Sequence, residues 1–149
     1  MTRTLAENLL FASLAINAAL LIFLAGVLRK VMNDMQEAEF KHFVALLVRR
    51  SERSPFMLTV LNLPFFGAIP YCYFYGFANR WLLSALALWL VAGAIGKTMK
   101  FSIYKAVSTV QVGDLTRLRE ERQTLNAGNM LQAILNSVAV LLAFVSLVR

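Results

Sequence analysis

"LLFASLAINAALLIFLAGVL", residues 9–28, runs for twenty positions without one charged side chain. An α-helix needs about 20 apolar residues to cross about 30 Å of hydrocarbon. Core helices of soluble proteins are usually shorter and interrupted by charge, so the stretch predicts a transmembrane helix. It is longer than the roughly 7 to 15 apolar residues of a cleavable secretion signal and lacks a small-residue cleavage site, so it is expected to be retained.

Three further blocks repeat the pattern: Phe56 to Phe77, Trp81 to Ile95 or a little beyond, and Met130 to Val148. The expectation is a single all-α domain, a four-helix transmembrane bundle with spans near residues 5–28, 56–77, 81–103 and 129–148. Composition agrees, since 59% of the 149 residues are hydrophobic and 15% charged, more apolar surface than a small soluble fold can hide.

The net charge of +7 would suggest nucleic acid in a soluble protein, but its distribution here reads as membrane orientation. Loop 1, residues 29–54, carries Arg29, Lys30, Lys41, Arg49, Arg50 and Arg53. The segment from the end of the third span to the fourth carries Lys97, Lys100, Lys105, Arg117, Arg119 and Arg122. Only Arg3, Arg80 and Arg149 fall on the other side. By the positive-inside rule loops 1 and 3 are cytoplasmic, and both termini lie opposite.

Neither long loop reads as shapeless. In loop 1, Asp34 followed by Glu37 resembles a helix-start signal. Phe40, Phe43, Val44 and Leu47 then recur on one face, and Arg49, Arg50 and Arg53 suit the C-terminal end. This predicts an amphipathic cytoplasmic helix at the membrane surface, which either closes the bundle or docks on a partner or anionic lipid through its basic cluster. In loop 3, Leu115, Leu118 and Leu125 share a side, with Arg117 and Glu121 one turn apart, and the helix is expected to run past Gly128 into the last span. Lys97 and Lys100 sit where cationic side chains snorkel to headgroups, and together with Arg117 and Arg122 they complete the candidate partner or headgroup contacts.

Polar groups inside a span need a partner or a purpose. Asn17, Asn62, Gln132 and Asn136 are the candidates, with interhelical hydrogen bonding as the simplest role. Ala92 with Gly96, and Ala133 with Ser137, are small-residue pairs that allow close backbone approach. Glu7 sits near the outer end of the first span, within reach of interfacial water.

The second span contains "NLPFFGAIPYCYFYGF", residues 62–77. Pro64 and Pro70 each remove a backbone donor, so the helix kinks unless neighbours satisfy the freed carbonyls. Tyr71, Tyr73 and Tyr75 suit an interfacial belt completed by Trp81. A bent helix also opens a wedge, lined by Phe65, Phe66 and Tyr71 and faced by Asn17, Asn62 and Asn136, shaped for a flat apolar molecule. One cysteine, Cys72, rules out an intrachain disulfide, and one histidine, His42, cannot by itself ligate haem or a histidine-rich metal site. No catalytic motif for a hydrolase, nucleotide enzyme or redox protein occurs. No metal or cofactor is expected.

The helix layout and "RLREERQTLNAGNMLQAILNSVAVLLAF", residues 117–144, resemble the small four-helix membrane proteins of the anthrone oxygenase-like group. Arg122 and Asn126 are the matching positions, with Leu125 where that group has an aromatic. The resemblance implies oxidation of a polycyclic phenolic substrate.

Two functions are therefore expected from the sequence. One is a non-enzymatic accessory, assembly or scaffold subunit that binds protein partners or further copies of itself through its membrane helices. The other is a cofactor-independent oxygenase-like enzyme or lipophilic-ligand binder using the second helix.

Overall fold

The computed structural model describes residues 2–110 and 113–149, without the side chains of Glu52, Lys100, Phe101 and Ser108. The first apolar run forms α1 (Arg3–Phe23), which passes through a π turn at Leu24–Leu28 into α2 (Arg29–Asp34) as one continuous rod. After a break follow α3 (Glu37–Glu52), α4 (Pro55–Tyr75), α5 (Arg80–Thr109) and α6 (Leu115–Val148). The α1–α2 rod, α4, α5 and α6 are each long and apolar enough to cross a membrane. The all-α bundle of four such helices is thus present. As expected, α6 runs unbroken past Gly128.

Side chains set the helix starts. Thr2, Ser54, Asn79 and Asp114 each accept from a backbone N–H in the first turn of α1, α4, α5 and α6. Gly76 ends α4 at φ 70°, a left-handed value that glycine adopts without steric cost. The start of α3 corrects the sequence reading. Asp34 is the last residue of α2, Met35 is extended, and the capping box is Gln36 with Glu39, whose carboxylate accepts from the Gln36 N–H at 3.0 Å. The Asp34–Glu37 pair had the right spacing but belonged to the preceding rod.

α6 is the central helix, packed against α5 on one side and α1 on the other, whereas α4 leans on α1 and, at its start, on α3. The inward face of α6 follows a heptad seam: Leu118, Arg122, Leu125, Asn129, Gln132, Asn136, Ala139 and Ala143, spaced alternately four and three. All but the half-buried Arg122 are buried. The two alanines let helices approach closely at the end of the bundle that holds the termini. Gly96 does the same further along α5, where the Gln132 amide lies against it and donates to the Ala92 carbonyl at 2.8 Å.

Two large apolar clusters result, beside a small one of Leu21, Ala25 and Ala133. Near the termini Ala6, Leu10, Leu14, Tyr71, Leu82, Ala85, Leu86 and Ala143 pack together. At the opposite, basic end Met32, Phe40, Val44, Ile103, Val107, Val110, Leu118 and Leu125 form the second. Helix length explains it, because the 34 residues of α6 rise about 51 Å, some 20 Å beyond the hydrocarbon thickness. The apolar stripe of α3 is therefore occupied by the stems of α5 and α6. It does not lie open to a membrane surface, because Phe40 and Val44 are fully buried there.

Polar contacts tie the same end. Lys41 donates to the Val110 carbonyl, Asn126 donates to Asn33 at 2.8 Å, the Arg122 guanidinium sits 4.5 Å from the Phe40 ring centre, and Arg119 pairs with Glu37 at 2.7 Å. The Arg119 guanidinium, helped by backbone donors, holds the Glu37 carboxyl below its ordinary value. A carboxylate with a lowered folded-state pKa adds stability above its unfolded value and loses it as pH falls through the folded one. Thermal unfolding is thus expected to show a small loss of stability on acidification below about pH 4. Arg119→Gln should flatten that part of the profile.

Candidate functional site

α4 stays helical through both prolines. Pro64 cannot donate to the Val60 carbonyl four residues back, and the Asn17 amide of α1 donates there instead, at 3.3 Å, sharing its bond with the Leu61 carbonyl at 3.3 Å. The sequence reading anticipated a kink unless neighbours satisfied the freed carbonyls, and Asn17 is that neighbour for Pro64. Such a bond is worth about 1 kcal/mol in an apolar bundle.

Between α1 and α4 lies a groove of about 750 Å³. Ala6, Leu9, Leu10, Ala12, Ser13 and Ile16 form its α1 wall, and Leu63, Phe66, Gly67, Pro70, Tyr71, Phe74 and Tyr75 its α4 wall. Gly67 and Pro70 keep the α4 wall low. The groove exists because α4 has only α1 as a full-length neighbour, which leaves small side chains at the junction facing outward. The polar side chains of its lining are those of Ser13, Tyr71 and Tyr75, and Ser13 turns its hydroxyl back to the Leu10 carbonyl at 2.7 Å.

The groove ends at a polar node. One oxygen of Glu7 accepts from Arg3 at 3.0 Å, from the Tyr71 hydroxyl at 2.7 Å and from the Asn79 amide at 2.9 Å. Asn79 also donates to Ser146 at 2.7 Å, and its own oxygen caps α5. A single carboxylate thereby links α1, α4 and the α4–α5 turn, and Asn79 carries the network on to α6. Outside this node opens a cup of about 450 Å³ lined by Arg3, Glu7, Ala78, Asn79, Arg80, Trp81, Ser146 and Arg149. The Arg149 guanidinium lies 4.9 Å from the Trp81 ring centre.

The other candidates disperse. Phe66, Pro70 and Tyr71 line the groove, while Pro64 is buried and Phe65 exposed outside it. Asn17 serves the α4 backbone, exposed Asn62 donates to its own Leu58 carbonyl at 2.7 Å, and buried Asn136 donates to the Gln132 carbonyl at 2.9 Å. The three asparagines thus do not face one wedge, because each amide is used by a nearby backbone oxygen. Tyr73 is 83% exposed, as a belt residue would be, but Tyr71 is 2% exposed with its hydroxyl on Glu7. Arg49, Arg50, Arg53, Lys97 and Arg117 are exposed at the basic end, Arg122 is half-buried over Phe40, and the Lys100 side chain lies outside the described residues.

Sequence reasoning passed over two features. Asn129 belongs to the α6 seam, where the side-chain oxygens of Asn129, Gln132 and Asn136 accept no hydrogen bond from any described residue. The signal was the alternating four-and-three spacing from Leu118 to Ala143. The other is Asn79, about which nothing local announces that it closes the Glu7 node. Among the described residues no group of three or more His, Cys, Asp or Glu is placed to hold a metal ion. In comparisons with known proteins, the chain matches no family model, no curated protein and no solved structure.

Proposed function

We propose that this chain is a multi-pass integral membrane protein that holds an apolar molecule in the groove between α1 and α4. The observation that carries this reading is the groove itself. Its volume of about 750 Å³ falls in the range of small-ligand sites, roughly 300 to 1,000 Å³, and its walls are almost wholly apolar. The groove opens sideways along two helices long and apolar enough to span a membrane, so a hydrophobic chain enters it from the bilayer without crossing water. Glu7 is already engaged by three donors, and that supports holding rather than chemistry. The asymmetry of basic residues supports a topology with loops 1 and 3 in the cytoplasm and both termini opposite.

A diazirine-bearing fatty acid tests the reading. On irradiation in membranes containing the full chain, labelled peptides are expected to map to residues 6–16 and 63–75. Ala12→Phe, which fills the α1 wall at an exposed position, should cut labelling of those peptides several-fold. Labelling spread evenly over all four apolar helices would contradict a specific groove.

A second reading, an accessory or scaffold subunit, is favoured by the outer face of α4. Leu58, Phe65, Ile69 and Tyr73 are exposed there on a helix that has α1 as its main neighbour. A partner's transmembrane helix seated on that face would give a stoichiometric complex on gentle extraction.

A further inference from the structure

The three basic residues on the termini side of the chain converge on one place. Arg3, Arg80 and Arg149 are far apart in sequence, yet all three line the cup. Glu7 is the one acidic side chain in its lining, and it pairs with Arg3 at 3.0 Å. Neither Arg80 nor Arg149 forms an ion pair with any described residue, and Arg149 is turned over the Trp81 ring. Bringing like charges together is unfavourable unless an anion is shared among them.

The cup also adjoins the groove, across the Tyr71–Glu7 hydrogen bond. Tyr71 lines the groove with its ring and places its hydroxyl on Glu7, which lines the cup. Ala6, the next residue of α1, lies on the groove wall. An apolar trough thus ends one side chain away from a cationic cup, at the end of the bundle where Trp81 and the helix ends mark the level of lipid headgroups.

We propose that groove and cup form one site for an anionic amphiphile, its hydrocarbon chain in the groove and its anionic oxygens held by Arg80 and Arg149. This rests on the groove reading given above. Arginine suits the role because its planar donors match the oxygens of a phosphate or carboxylate in pairs. Arg3, held by Glu7, shapes the wall between the two compartments. The occupant is a lipid of the surrounding bilayer. A soluble anion shares the headgroup chemistry but would leave the groove unused.

The test is lipid retention by the purified full chain, read by native mass spectrometry with phosphatidylglycerol, phosphatidylcholine and inorganic phosphate supplied separately. Each unpaired arginine is expected to favour the anionic lipid about fivefold, the ratio for about 1 kcal/mol per basic side chain at an anionic surface. Wild type should therefore prefer phosphatidylglycerol over phosphatidylcholine about twenty-five-fold, by that additive estimate. The double variant R80Q/R149Q should bring the ratio near one, and R80K/R149K should keep most of it. Ala12→Phe should remove both lipids. Equal retention of the two lipids by wild type, still abolished by Ala12→Phe, would overturn the headgroup assignment and leave the groove reading standing. Retention of neither lipid would overturn both. Phosphate binding that depends on Arg80 and Arg149 with no lipid retained would overturn the lipid as occupant in favour of a free anion.

Discussion

Gly96→Leu is expected to be among the most damaging single substitutions in the chain. A Cβ at this position would lie 1.6 Å from the Gln132 Nε2 atom, so any side chain must displace the glutamine amide or push α5 off α6. The amide is a flexible end and can swing away, but it then gives up its 2.8 Å bond to the Ala92 carbonyl inside a buried interface. Overpacking a tight interface costs about 1 to 3 kcal/mol, and the lost interhelical bond adds about 0.6 to 1.7 kcal/mol. Equilibrium unfolding in mixed micelles should show Gly96→Leu destabilised by about 3 kcal/mol, the sum of those terms. Gly96→Ala should cost less. Combining it with Gln132→Ala should cost less than the two single changes added together, because both act on the same contact. Strict additivity would mean that Gln132 does not rest on Gly96.

Glu7→Ala is expected to be comparably severe, for a different reason. The carboxylate receives three donors from three parts of the chain, and its loss leaves the buried Tyr71 hydroxyl without its acceptor and the Asn79 amide with Ser146 alone. Hydrogen bonds to charged groups contribute about 1.5 to 3 kcal/mol each, and an abandoned buried donor costs about 1 to 3 kcal/mol, with the terms far from additive. A loss of about 3 kcal/mol is the expected outcome, at the level of one strong bond plus one stranded donor. Glu7→Gln should recover part of it, because an amide oxygen still accepts from Tyr71 and Asn79. Full stability of Glu7→Ala would show that the alanine cluster around Ala139 and Ala143 holds this end unaided.

How far the fold could be read from the chain depends on which length scale carried the information. The four apolar runs announced four long helices because span length is a property of composition alone, and the uninterrupted helical pattern after Leu115 foretold that α6 would pass Gly128. The role of the α3 stripe needed knowledge of its neighbours. Phe40 and Val44 have the same spacing whether they face lipid or protein, and only the excess length of α5 and α6 decides for protein. Likewise Asn17 and Asn62 look alike in sequence, each an asparagine in an apolar run. One supports a carbonyl that Pro64 leaves bare on another helix, and the other folds back on its own. The run from Asn62 to Phe77 read as a kinked wall, yet α4 stays helical through both prolines, and of the residues named for the wedge Phe66, Pro70 and Tyr71 line the groove. The cup was not legible, because Arg3, Arg80 and Arg149 meet only after the bundle has closed.

The measurement that bears most directly on the central claim is native mass spectrometry of the full chain extracted gently from its own membranes, beside Ala12→Phe prepared identically. The groove reading predicts that wild type carries a bound lipophilic mass which the variant lacks at equal stability. A bare wild-type chain, or a mass retained equally by Ala12→Phe, would contradict it.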